Sequence, residues 1–228
     1  MNKRVFGSVV GSVFLVLGSG CSKPSPPTPD THAAAPQGGP QPLGASAPAM
    51  GRAPAPAFEL KDLEGKSVKL ADFKGKTVVL EWFNPDCPFV RNSHTKGSLV
   101  STAKTWRAKG IVWLAINSSA EGKQGFGLEA NQAGRTKFAL ENPILLDPTG
   151  ATGKAYGATN TPHMFVVDPE GNLAYRGAID NSPDGEGDSP TSGSLVNYVS
   201  QALEELGAGK PVSVPETKAY GCGVKYGS

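Results

Sequence analysis

The sequence predicts an α/β fold, a central mixed sheet with helices on both faces. Two observations carry the prediction. Short apolar runs bounded by turn residues alternate with longer helix-like segments between residues 77 and 146. Beyond them, Asp168-Pro169-Glu170-Gly171 has the composition of a tight turn joining two further strands, and a closing helix follows.

Each element has its own signal. Phe58 to Leu60 and Ser67 to Leu70 flank Leu63-Glu64-Gly65-Lys66, a turn between two short strands. Thr77 to Phe83, rich in Val, Leu, Trp and Phe, reads as a buried strand, and Asn84-Pro85-Asp86 breaks it. Pro88 suits the first position of a helix, where its missing N–H would have no partner, and the helix is expected to run to about Ala108 with Gly110 ending it. Ile111 to Ile116 is a second strand, Leu128 to Leu140 a helix and Ile144 to Leu146 a third strand. Met164 to Val167 and Asn172 to Ile179 form the hairpin, and Ser194 to Leu206 is a helix capped by Gly207.

Ahead of this domain, assigned to residues 57–206, lie two segments of different character. Residues 1–20 read as a signal peptide: Lys3 and Arg4 precede the apolar stretch Val5 to Leu17, and Gly18-Ser19-Gly20-Cys21 follows. A membrane span needs about 20 apolar residues, more than this stretch supplies. The segment resembles the leader of a bacterial lipoprotein, which implies lipidation of Cys21 and a membrane contact through that lipid alone. Gly18 stands where such leaders usually carry Leu, so plain secretion with cleavage nearby stays open. Residues 21–56 hold ten of the twenty prolines with no hydrophobic periodicity, the composition of a disordered tether. Its reach lies between ~30 Å as a coil and ~100 Å fully extended. Lys3 and Arg4 account for the whole net charge of +2, and no basic stripe suggests nucleic acid.

The chemistry centres on Cys87. A thiol at the start of a helix meets unpaired N–H groups and the positive end of the dipole, which favour charge on sulfur and make a nucleophile. The plainer alternative is a buried inert cysteine. If Cys21 carries lipid, Cys87 and Cys222 remain, and export places them where a disulfide forms and persists.

Residues 57–206 resemble the thioredoxin fold, and specifically the peroxiredoxin-like redoxins of the alkyl hydroperoxide reductase and thiol-specific antioxidant type. Trp82-Phe83-Asn84-Pro85-Asp86-Cys87-Pro88 matches the strand-to-helix segment bearing the reactive cysteine. Asn160-Thr161-Pro162-His163 matches the loop whose proline is cis and faces it, and Gly171 to Gly177 the hairpin that follows. The resemblance implies a thiol-based oxidoreductase acting on a peroxide or a protein disulfide and restored by a periplasmic thiol reductant, with no cofactor and no metal.

The departures redirect the expectation. Thioredoxins carry a second cysteine at the position of Val90, so local exchange between two close cysteines is impossible here. Peroxiredoxins carry Thr or Ser at the position of Asn84, whose amide is left to hydrogen-bond a peroxide. Cys222, between glycines in the tail 207–228, is expected to be mobile and to resolve an adduct on Cys87. A permanent Cys87–Cys222 staple is the alternative.

Around them, Glu81 matches the thioredoxin position of a buried acid and is a candidate general base, against a strand-end carboxylate in solvent. Arg91, one turn into the helix, would favour thiolate unless merely solvated. Thr161, Pro162 and His163 are placed beside Cys87 and the substrate, His94 at the surface, and Trp82 and Trp113 in the core. Cys87 with His94 or His163 could hold copper, and a non-catalytic binding module is the other alternative. The acidic loop Asp180 to Asp188 lacks the pattern of a calcium site and reads as solvated.

Overall fold

The computed structural model describes residues 53–227. Its seven-stranded mixed sheet uses β1 (Glu59–Asp62), β2 (Ser67–Lys69), β3 (Val78–Trp82), β4 (Val112–Asn117), β5 (Ile144–Leu146), β7 (His163–Val167) and β8 (Leu173–Gly177), in the order β2-β1-β5-β4-β3-β7-β8. β3, β4 and β5 run parallel, and β1 and β7 add antiparallel on either side. Two short strands, β6 (Asn160–Thr161) and β9 (Cys222–Gly223), pair apart from this sheet. The helices are α1 (Pro88–Thr95), α2 (Leu99–Ala108), α3 (Gly127–Lys137), α4 (Ala151–Tyr156) and α5 (Tyr198–Gly207).

β3 lies at the centre because every residue from Val78 to Trp82 is buried, as the unbroken apolar run demands of a strand covered on both faces. Leu80 and Trp82 pack on one face with Leu114, Ile116, Phe165 and Tyr156. Val79 packs on the other with Trp113, Met164, Trp106 of α2 and Leu203 of α5. The hairpin turn forms as expected: Asp168 N–H donates to Asn172 O (2.9 Å) and Gly171 N–H to Asp168 O (3.0 Å).

Four expectations need correction. The helix expected over Pro88 to Ala108 is two helices, broken at Lys96-Gly97-Ser98, where Lys96 and Gly97 N–H both donate to Asn92 O and Gly185 O approaches Gly97 so closely that a side chain there would collide with it. α4 escapes pattern reading because six residues carry too little periodicity. The folded body starts before residue 57: Leu173 N–H donates to Ala53 O (2.9 Å), Ala55 N–H to Gly171 O (2.9 Å) and Tyr156 Oη–H to Pro56 O (2.8 Å). The tail is not loose either. Ala120 N–H donates to Lys225 O (2.8 Å), Val224 N–H to Thr159 O (3.0 Å) and Tyr226 Oη–H to Ala158 O (2.8 Å). The expectations for residues 1–20, for Cys21 and for the tether up to residue 52 lie outside the described residues.

Candidate active site

Asn84 shapes the turn between β3 and α1. Its carbonyl accepts from Cys87 N–H (3.1 Å) and its side-chain oxygen from Asp86 N–H (2.9 Å), which ends the strand and leaves Cys87 as the extended N-cap of α1. The Asn84 amide nitrogen, expected to serve a peroxide, instead donates to Gln124 O (3.1 Å) and Ser119 Oγ (3.4 Å). A buried amide held by two neighbours fixes a loop and has no donor left over. Val90, at the position where thioredoxins carry the second cysteine, is fully buried.

The Cys87 side chain has no exposed surface, and its Sγ donates to Thr161 O (3.1 Å). The Thr161–Pro162 bond is cis, as the resemblance implies. Thr161 belongs to β6, and directly opposite it in the antiparallel pair stands Cys222. The two thiols meet, and both are free. Burial, and then the Cys87 thiol beside it, push the Cys222 thiol up from 9.0 to about 11, partly offset by Lys225 and by the Phe89 N–H in the first turn of α1.

The tail's placement, unforeseen from sequence, comes from contacts on both sides of Cys222. Tyr220 Oη–H donates to Asp180 Oδ1 (2.9 Å), a buried carboxylate that also accepts from Ser182 N–H (2.9 Å) and from the Ser98 hydroxyl. Asn160 Nδ2 donates to Gly221 O (3.0 Å). Gly221 has φ +112°, and a side chain there would run into Thr161 O. Two tyrosines in a glycine-rich tail were the available signal. The loop expected to be solvated thus begins with a buried acid.

The other candidates separate. Glu81 is buried, with Oε1 2.7 Å from His94 Nε2 and Oε2 accepting from Trp113 Nε1–H (3.2 Å). Both carboxylate oxygens of this candidate general base are therefore engaged, one by His94 and one by Trp113. His94 is buried rather than at the surface, stacked on Phe138 with ring centroids 5.5 Å apart. Trp82 and Trp113 are core residues. Arg91 is exposed on α1. His163 is engaged by other partners: Nδ1 accepts from Thr159 N–H (3.2 Å), the ring centroid lies 4.5 Å from that of Phe165, and it lines a hollow of about 400 Å³ with Arg176 and Glu216. Burial first, then Arg176, lowers it from 6.5 to about 4. With His94 on Glu81 and His163 turned to Thr159, the copper arrangement is not assembled, and the described residues contain no group of three His, Cys, Asp or Glu side chains placed to hold a metal.

The family model for redoxins matches residues 51–192. The chain belongs to the redoxin family. A solved structure of an uncharacterized conserved protein from Geobacillus kaustophilus superposes with a TM-score of 0.66 at 30% identity, over 76% of this chain and 90% of that one. Over 129 residues this redoxin is 27% identical to the thiol-disulfide oxidoreductase ResA of Bacillus thuringiensis subsp. konkukian (strain 97-27), covering 52% of this chain and 64% of ResA. It is 28% identical to a putative peroxiredoxin in the rubredoxin operon of Clostridium pasteurianum, over 54% of this chain and 74% of that protein. The redoxin thus spans about 64% of the length of the ResA relative. Among the described residues no helix is long and apolar enough to cross a membrane.

Proposed function

We propose that this redoxin is a thiol-disulfide oxidoreductase in which Cys87 and Cys222 cycle between dithiol and disulfide, exchanging electrons with a protein thiol or disulfide and restored by a second thiol. The observation that carries the reading is the meeting of the two thiols across Thr161, on a strand held from both sides. Disulfide exchange is favoured over peroxide reduction because the Asn84 amide, the peroxide-facing donor the resemblance would supply, is consumed inside the protein. Thr161 joins the two cysteines, its carbonyl accepting from Cys87 and its backbone standing opposite Cys222, and its buried hydroxyl has no hydrogen-bond partner among the described residues. The leader, Cys21 and the proline-rich tether support export and attachment to a bacterial membrane through an N-terminal lipid, facing the periplasm or exterior, where an oxidised pair persists.

The test oxidises the protein with diamide and measures mass and free thiols, then follows insulin reduction and hydrogen peroxide consumption for wild type, Cys87→Ser and Cys222→Ser. Wild type loses two hydrogens and both reactive thiols, and each serine variant abolishes insulin reduction. Equal behaviour of the three proteins would point to a binding module without turnover, and cysteine-dependent peroxide consumption without insulin reduction to a peroxidase.

A further inference from the structure

Thiol-disulfide exchange requires the incoming sulfur to reach one sulfur of the pair, so access decides which one takes the substrate. Cys87 offers none. It is packed with Phe83, Val90 and Ile144, its Sγ is bonded to Thr161 O, and β9 lies beside it. Fraying of the tail does not readily uncover it, because the chain is held before Cys222 by Tyr220 on Asp180 and after it by Val224, Lys225 and Tyr226. Cys222 is half-buried. The residues just before it in the tail, Lys218, Tyr220 and Gly221, line a hollow of about 480 Å³ with Asn160 and Tyr198.

We propose that Cys222, and not Cys87, is the sulfur that carries the mixed disulfide with a peptide or protein thiol, and that Cys87 is the internal partner that opens and closes the protein's own disulfide. The inference rests on the proposed cycling of the two cysteines and reverses the order expected from sequence. In the oxidised protein a substrate thiolate attacks Cys222 Sγ, forming the substrate–Cys222 bond as the Cys222–Cys87 bond breaks. The electron pair leaves on Cys87 sulfur, at the N-cap of α1. A second substrate thiolate then attacks the substrate sulfur of the mixed disulfide. The substrate disulfide is released, the Cys222 sulfur leaves as thiolate, and it and the Cys87 sulfur take up from solvent the two protons the substrate thiols gave up. Two substrate thiols have become a disulfide, and the protein disulfide has become two thiols. Reduction of a substrate disulfide is the same path reversed, through the same adduct on Cys222.

Phe89 N–H, directed at the Cys222 sulfur, holds it in place during the exchange. Reduced Cys222, with its thiol pushed up by burial and by Cys87, holds its proton near neutral pH.

The experiment uses oxidised wild-type protein with glutathione as the probe thiol. After a brief reaction, acid quenching, N-ethylmaleimide labelling in denaturant at mildly acidic pH and peptide mapping locate each adduct. Glutathione is expected on Cys222 and maleimide on Cys87, with the glutathione adduct favouring Cys222 by at least about tenfold. Glutathione on Cys87 in half or more of the adducts overturns the inference and leaves the cycling pair intact. Failure of diamide to form the Cys87–Cys222 disulfide overturns the cycling itself. A parallel comparison guards against loosening of β9. Cys87→Ser should react with glutathione disulfide natively, whereas Cys222→Ser should react at a rate near that of unfolded protein only after denaturant is added. Native reaction of Cys222→Ser at or above the rate of Cys87→Ser would count against the inference.

Discussion

His163 makes the protein's stability depend on pH in a way that can be worked out. Its ring is buried on β7 between Phe165 and the hollow lined by Arg176 of β8 and Glu216 of the C-terminal segment. Nδ1 accepts from Thr159 N–H, so protonation there would break a hydrogen bond as well as bury a charge. The unfolded chain binds this proton below 6.5, whereas the folded protein binds it only near 4. Stability contributed by the neutral ring is therefore complete above 6.5 and is lost as pH falls through the window down to about 4. At ~1.4 kcal/mol per pH unit, the loss across that window is on the order of 3 kcal/mol. His163→Asn keeps an acceptor near Nδ1 and removes the titration. Urea denaturation followed by tryptophan fluorescence across the window should give a variant less stable near neutrality, with a slope against pH shallower by most of that amount. Parallel slopes for the two proteins, or a ring proton resonance titrating near the ordinary histidine value, would refute the reasoning.

Four further outcomes follow from the same contacts. Gly221→Ala should displace β9 and slow diamide-driven closure of the Cys87–Cys222 disulfide by tenfold or more, taking ~1.4 kcal/mol of strain as the least cost of its side chain against Thr161 O; an unchanged rate by quenched mass analysis would contradict the placement. His94→Leu leaves Glu81 held by Trp113 alone and should cost about 3 kcal/mol in chemical denaturation, with Glu81→Gln restoring part of it in the double variant. Alkylation of reduced Cys222 should speed up about tenfold per pH unit below 11, and Cys87→Ser should bring the rise to lower pH because one of its causes is gone. Cys21→Ser should move the protein from the membrane to the soluble fraction of the producing cell; continued membrane retention would exclude lipid at that cysteine.

Much of the framework was legible because it rests on local rules. Val78 to Trp82 had to be a doubly covered strand, Pro88 had to open a helix, and Asp168 to Gly171 had to turn. The break between α1 and α2 was not, since its only local trace is Gly97, and the approach of Gly185 that demands a glycine there comes from a segment distant in sequence. Nor was the burial of His94, which depends on a carboxylate thirteen residues earlier facing the same interior.

The sequence by itself determined that a cysteine would stand at a strand-to-helix junction, that its usual neighbour was replaced by Val90, and that Cys222 was the remaining thiol of the domain and tail. Only the tertiary structure decided that Cys222 is fixed opposite Thr161, that Asn84 has no donor left for a peroxide, and that Cys87 lies beneath the surface while Cys222 reaches it. The physical reason is the range of the interactions. Turns, caps and apolar periodicity act over a few residues, whereas access to a sulfur is set by whatever remote segment packs across it, here a strand anchored by Tyr220 and Tyr226.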